Sequence, residues 1–177
     1  MISEPAMTDS TRRQFFTRGR LAVAVAVMLT SAGCLGGGLA QSGRGTIADI
    51  HLFGVPTALN FDGIKKVDGI GVRIYASAPK IARGVAIDRG ELEVLMYEGS
   101  VSDNDIRTAT PSKVWRFEAV SLRPFTAETS LGIGYQLALR WGKDLPLSQV
   151  VTVVARYRSP TGVELYSTTT SISVASK

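Results

Sequence analysis

The segment that decides the fold is Leu131–Trp141, which reads Leu-Gly-Ile-Gly-Tyr-Gln-Leu-Ala-Leu-Arg-Trp. Every odd-numbered residue in it is large and apolar, and the residues between them are small or polar. Because successive side chains of a strand point to opposite faces, this period of two predicts a long strand with one buried face centred on Leu137. Gly132 and Gly134 predict a bulge, a bend or a close neighbour above the other face.

The rest of residues 46–177 continues the strand pattern. Short apolar or alternating runs between turn residues predict further strands at 46–54, 70–76, 91–98, 113–119, 150–158, 163–167 and 171–174. Residues 79–89 are predicted to form a loop, which could be partly extended. Ser102 and Asp105 have the spacing of a helix start, and Pro111 limits that helix to a short one. Seven to eight strands with one short helix predict an all-β fold, a two-sheet antiparallel β-sandwich of the immunoglobulin-like or transthyretin-like kind.

Residues 1–33 have the organisation of a signal peptide. Four arginines precede the nine-residue apolar run Leu21–Leu29, which is shorter than the about 20 residues of a membrane-spanning helix. The segment Thr11–Phe16, Thr-Arg-Arg-Gln-Phe-Phe, resembles the twin-arginine export motif through Arg12 and Arg13. A Sec leader that happens to carry two adjacent arginines is the alternative.

The end of this leader, Ser31-Ala32-Gly33-Cys34, resembles the lipobox of bacterial lipoproteins. In that motif a cysteine after two small residues is acylated and becomes the new N-terminus; Ser31 stands where the motif usually has an aliphatic residue. The resemblance implies that Cys34, the only cysteine of the chain, anchors the protein in a membrane. Residues 34–45 are rich in glycine and predict a flexible tether. Cleavage after Ala40, which would leave no lipid, is the alternative.

The composition suits one domain of ordinary size after the leader. The 177-residue chain carries a net charge of +5, of which +2 lies in residues 1–33 and +3 in the remainder. Apart from Lys65-Lys66, the basic residues of the domain are scattered singly. Because no block of them predicts neutralisation of phosphates, nucleic acid is not an expected partner.

Candidate catalytic groups are few. His51 is the only histidine, so a His–His metal pair is impossible, and the chain lacks the Gly-x-Ser-x-Gly turn that presents a nucleophilic serine. Glu91 and Glu93 could be proposed as paired carboxylates for hydrolysis. They lie two apart on an alternating strand, so the pattern favours a solvated outer face for both.

Other polar and aromatic residues also favour structural roles. Asp103 and Asp105 lack the further oxygen ligands and the glycine of a calcium loop. Trp115 and Trp141 could stack on sugars, but both fall in line with apolar strand residues and are predicted to pack in the core. The sequence therefore predicts no catalytic, cofactor-binding or metal-binding residues, and no enzymatic activity.

Four segments are similar to a group of predicted bacterial lipoproteins without assigned function: Leu92–Gly99, Trp115–Phe117, Leu131–Tyr135 and Val153–Arg158. The lipobox-like end, Val72–Tyr75 and Ala155–Tyr157 are more weakly similar to the β-sandwich lipoprotein that anchors type VI secretion machines. Neither resemblance supplies an active residue.

The export, the anchor and the absence of a catalytic set together predict a non-enzymatic protein held in a membrane through Cys34 and facing the periplasm or the cell exterior. We expect it to bind or scaffold another envelope component, which could be a protein or a glycan. A glycan-binding module with exposed Trp or Tyr residues, and an envelope hydrolase with unidentified carboxylates, are the alternatives.

Overall fold

The computed structural model describes residues 46–64 and 66–174, so the predicted leader with Arg12 and Arg13, the predicted lipidation site Cys34 and the tether lie outside the described residues. The described part confirms the predicted all-β sandwich. It contains one short 3₁₀ helix, Ala119–Phe125, and ten strands. The strands are β1 (Asp49–Gly54), β2 (Gly69–Ala78), β3 (Ile81–Val85), β4 (Glu91–Glu98), β5 (Lys113–Glu118), β6 (Thr126–Thr129), β7 (Gly132–Arg140), β8 (Val150–Arg158), β9 (Glu164–Tyr166) and β10 (Thr170–Ser173).

The first sheet is built around the pair β2 and β7. They run antiparallel from Gly69 opposite Arg140 to Tyr75 opposite Gly134. β1 lies beside β2 and β6 beside β7, and the short β3 pairs with the end of β2. A single parallel contact, Gly84 opposite Gly132, joins β3 to β7. The second sheet has the order β10-β8-β4-β5, with β9 also paired to β8.

The core lies between the two sheets. On β7 the inward residues Tyr135, Leu137 and Leu139 are buried, and Trp141 is buried directly after the strand. Leu137 is 3% exposed, as its central place in the period predicts. Leu131 departs from the prediction, since it is 60% exposed. The strand begins only at Gly132, whose φ of 102° turns the chain, so Leu131 belongs to the preceding turn.

The two glycines of β7 are explained by close neighbours. A Cβ on Gly134 would lie 2.6 Å from Cε1 of Tyr75, so the tyrosine ring lies flat over this residue on the outer face of the sheet. A Cβ on Gly132 would lie 2.5 Å from the backbone nitrogen of Gly84. The expectation of a close neighbour above this face is therefore confirmed.

Two short strands were not predicted as strands. β3 lies within the predicted loop 79–89, and β6 lies in a stretch to which the sequence assigned no strand. Both are five residues or shorter, and neither shows a clear apolar period. They form by pairing with β2 and β7. This pairing depends on tertiary contacts, which the local sequence pattern does not predict.

The short helix also lies elsewhere than expected. Residues 103–109 form turns instead of a helix, with backbone bonds from Asp105 N to Ser102 O and from Ala109 N to Asp105 O. The Ser102 hydroxyl donates to the Asp105 carboxylate at 2.6 Å, so the two residues meet through their side chains but do not cap a helix. This segment covers part of the outer face of the second sheet, where Ile106 packs against Leu95 and Val154.

Candidate functional site

The sequence candidates for metal or acid–base chemistry do not come together. His51 is exposed on β1. Asp103 accepts a hydrogen bond from the backbone nitrogen of Thr169 at 2.7 Å, which ties the turn segment to the chain before β10. Within residues 46–64 and 66–174, no group of three His, Cys, Asp or Glu side chains is placed to hold a metal ion.

The two tryptophans pack as the core prediction states. Trp141 is buried between the sheets, and Trp115 packs partly buried against the same core. The Trp115 indole nitrogen donates to the carbonyl of Arg140 at 3.0 Å, which links β5 of the second sheet to the end of β7 in the first. Trp141 therefore offers no ring face to solvent, and Lys113 Nζ lies over the Trp115 ring at 5.5 Å from its centroid.

Glu93 corrects the expectation of a solvated pair of carboxylates. Its side chain does point to the outer face of the second sheet, but it is fully buried there. Arg116 Nε donates to one carboxylate oxygen at 2.8 Å and Arg156 Nε donates to the other at 2.5 Å. Arg158 lies 3.7 Å away and also pairs with Glu91 and Glu164.

This network keeps Glu93 ionised. Burial by itself raises the pKa of Glu93, but the hydrogen bonds and charges of Arg156, Arg116 and Arg158 outweigh it and hold the pKa below its ordinary value. The Tyr166 hydroxyl and Arg158 likewise lower the pKa of Glu164. A carboxyl group held ionised in this way is a structural anion and is poorly suited to act as a general acid.

A surface groove of about 410 Å³ crosses the outer face of the first sheet, where β1, β2 and β7 lie side by side. Its floor is formed by Gly71 and Ala138, which are opposite each other in the sheet register. Phe53, Val55 and Phe61 line it. Phe53 is 58% exposed, although its ring makes an edge contact with Tyr75 at a centroid distance of 6.0 Å.

The polar part of the groove is the pair Arg73 and Gln136, which are also opposite each other on β2 and β7. With the amide oriented so that its oxygen faces the guanidinium, Gln136 accepts hydrogen bonds from Arg73 Nη2 and from Nε at 3.2 Å. Arg73 forms no ion pair with any described residue. Arg140 differs, because it pairs with Asp68 at 2.7 Å and lies over the ring of Phe61. The groove therefore presents one uncompensated cation beside an apolar depression.

A second apolar feature is the loop between β7 and β8. The Glu98 carboxylate accepts hydrogen bonds from the backbone nitrogens of Leu147 and Ser148, the latter at 2.8 Å. Lys113 pairs with Asp144 at the start of the loop, at 2.7 Å. Leu147 is nevertheless 94% exposed, so the loop is held in place while its apolar side chain projects into solvent.

The groove and the loop could not be located from the sequence. Alternation in β7 correctly places Gln136 on the outward face, but its meeting with Phe53 and Arg73 depends on the register of three strands. Neither protein-family models nor curated proteins give a match to the sequence. Among the described residues, no helix combines the length and the apolar character needed to cross a bilayer.

Proposed function

We propose that the chain is an exported, lipid-anchored and non-enzymatic β-sandwich protein, which binds another component of the cell envelope through the groove on its first sheet. The observation that carries this proposal is the groove itself. It places an exposed phenylalanine, an apolar floor and an uncompensated arginine together on the outer face of the first sheet. Surfaces of this composition are typical of binding sites.

The alternative of an envelope hydrolase receives less support. Hydrolysis by paired carboxylates requires two such groups at one cleft, one of them with a raised pKa. No carboxylate lines the groove. The carboxylates with shifted pKa values, Glu93, Asp144 and Glu164, are all shifted downward by cationic or hydroxyl partners.

The alternative of a glycan-binding module is also weakened. Such a module is expected to present tryptophan or tyrosine faces to solvent, but Trp141 is buried and Trp115 packs against the core. Tyr75, which lies on the groove side of the sheet, is buried over Gly134. The groove instead exposes the ring of Phe53, which favours an apolar ligand over a polar one.

Export and anchoring are supported by the sequence. The Arg12-Arg13 motif, the short apolar run and Cys34 follow one another in the order that a lipoprotein leader requires. Replacing the cysteine, Cys34→Ala, should move the protein from the membrane pellet to the soluble fraction and end the incorporation of labelled fatty acid. Mass spectrometry of the mature N-terminus separates an acylated Cys34 from a start at Gln41. Unchanged fractionation of the variant would show that something other than lipid holds the protein.

Binding through the groove is tested by affinity capture from solubilised envelopes. The wild-type chain should enrich a component that the double variant Phe53→Ser, Arg73→Glu no longer enriches. The matched control is Leu131→Ser, Arg123→Glu, which makes the same kinds of change at exposed positions outside the groove. Equal capture by all three chains would contradict a role for the groove.

A further inference from the structure

Building on the proposed function, we propose that the ligand of the groove is a long-chain carboxylate, an amphiphile with a single acyl chain. Its hydrocarbon chain lies against Phe53, Val55 and Phe61 over the floor of Gly71 and Ala138. Its carboxylate pairs with the guanidinium of Arg73. Three features of the groove, its shape, its apolar walls and its unbalanced charge, lead to this class of ligand.

The shape of the groove is set by the smallest residues at its floor. Gly71 and Ala138 are directly opposite on neighbouring strands, so the middle of the floor carries only one methyl group. A Cβ on Gly71 would lie 3.0 Å from Leu59 Cδ1 and 3.4 Å from Val55 Cγ2, so apolar side chains close in on the floor from the β1 side. A volume of about 410 Å³ lies within the roughly 300–1,000 Å³ range of small-molecule sites. The depression suits a narrow apolar chain.

The walls leave apolar surface in water. Phe53 is 58% exposed and Val55 is 41% exposed, although both border a concave surface. Covering them with a hydrocarbon chain would remove that area from water, which is the main driving force for binding an apolar body. A polar sugar would not recover this free energy, because it would leave its hydroxyl groups facing hydrocarbon with few partners.

The charge of the groove favours an anionic ligand. Arg73 is the cation that lines it, and no described carboxylate lies within ion-pair distance of its guanidinium. Most other arginines of the sheets are already paired: Arg140 with Asp68, and Arg116, Arg156 and Arg158 with the glutamates of the second sheet. Arg83 of β3 lies outside the groove and donates to the carbonyl oxygen of Thr129. Gln136 accepts from Nε and one Nη of Arg73. Since a guanidinium has five N–H donors, the others are available for a carboxylate.

The test is isothermal titration calorimetry on the full chain carrying Cys34→Ala, which dispenses with detergent. The probes are dodecanoate, dodecanol and a chitin tetrasaccharide, each below the concentration at which it aggregates. Dodecanoate should bind at one site, and dodecanol, which has the same hydrocarbon chain without the charge, should bind at least about tenfold more weakly. Loss of one charge-assisted hydrogen bond accounts for a factor of that order.

Variants locate the site. Arg73→Gln should reduce the affinity for dodecanoate about tenfold and leave that for dodecanol unchanged. Ala138→Leu, an outward substitution on a strand, should fill the floor and abolish binding of both probes. Arg123→Gln removes an exposed cation outside the groove and should change neither affinity.

Equal binding of dodecanoate and dodecanol, or no effect of Arg73→Gln, would overturn the proposal that a carboxylate of the ligand pairs with Arg73. Binding that survives Ala138→Leu would overturn the proposal that the ligand lies in the groove. Binding of the tetrasaccharide in a manner sensitive to Ala138→Leu, without binding of dodecanoate, would overturn the ligand class and leave the proposed binding function standing. Absence of binding by all three probes would also overturn the ligand class, and capture from envelopes would then decide separately whether the groove binds anything.

Discussion

The carboxylate of Glu93 lies among three arginines on the outer face of the second sheet, and it is fully buried. Desolvation of a charge is costly, and the arginines offset that cost only while all the hydrogen bonds are made. Two of the arginines reach solvent through much of their side chains, whereas Glu93 does not. The glutamate is therefore the member on which the network depends.

At the residue scale, Glu93→Gln should destabilise the protein at pH 7 by an amount near the lower end of the roughly 3–5 kcal/mol found when one partner of a buried ion pair is removed. The lower end is expected because the arginines left behind are partly solvated. Urea unfolding at pH 7 measures the difference. Glu128→Gln, which changes an exposed glutamate of β6, is the matched control and should be close to neutral.

The same residue predicts a pH dependence. The folded pKa of Glu93 lies below its ordinary value of 4.5, so its contribution to stability is fully present above that value and is lost as the pH falls through the folded pKa. The difference in unfolding free energy between wild type and Glu93→Gln should therefore shrink on acidification below pH 4.5. A difference that stays constant down to pH 3 would mean that Glu93 is not the titrating group.

Glu93 also shows how far sequence reasoning reaches at this scale. Alternation on β4 correctly places its side chain on the outer face, but an outer face is not necessarily a solvated one. Arg116 and Arg156, from the strands on either side, cover it. Those contacts join residues 23 and 63 positions apart in the chain, and no local pattern contains them. Only the register of β5, β4 and β8 could have predicted the burial.

At the scale of elements, β7 is the strand whose alternation of apolar residues decides the fold. Leu137→Ala removes a side chain that is 3% exposed between the sheets and should cost roughly 2–5 kcal/mol through lost burial and a residual cavity. Ala138→Ser changes the next residue, which points to solvent in the groove, and should cost much less. Thermal or urea unfolding of the two variants measures the loss of stability in each. Equal losses would mean that both faces of β7 are buried in solution.

Long strands with a clear period could be predicted from the sequence, and β4 and β8 have the predicted bounds. Their signal is local, since each is an apolar-rich run of eight or nine residues. β3 and β6 could not be predicted, because they exist through their pairing with the ends of β2 and β7. The groove lies on β1, β2 and β7, all of which were expected. The position of the groove on these strands was not expected, because it depends on Gly71 and Ala138 lying opposite each other.

At the scale of the described sandwich, the two ends have different surroundings. The chain enters β1 at Asp49, which is opposite Ser77, close to the turn between β2 and β3. The turn that contains Leu131 lies at this same end, because Gly132 meets Gly84 of β3. The loop with Leu147 lies at the other end, between the last residue of β7 and the first of β8. The exposed leucines 131 and 147 therefore mark opposite ends of the sandwich.

These ends predict an orientation for the protein if Cys34 carries the proposed lipid. Cys34 precedes Thr46 by twelve residues, and the flexible glycine-rich tether that the sequence predicts there would span about 20 Å on average. A strand of nine residues such as β7 is about 30 Å long, so the average tether is shorter than the sandwich. A lipid at Cys34 should therefore keep the Leu131 end nearer the bilayer and leave the Leu147 end facing away from it.

The measurement is energy transfer from a dye to acceptor lipids in vesicles that carry the acylated protein. The dye is attached through Leu131→Cys in one preparation and through Leu147→Cys in another; both positions are exposed. Transfer should be clearly higher from position 131, because transfer falls steeply over a difference of about 30 Å along the strands. Each labelled chain with Cys34→Ala added to the same vesicles serves as the control and should show little transfer. Equal transfer from both positions of the anchored protein would mean that the sandwich lies on its side or tumbles freely, and the exposed Leu147 could not then be assigned to the outward end.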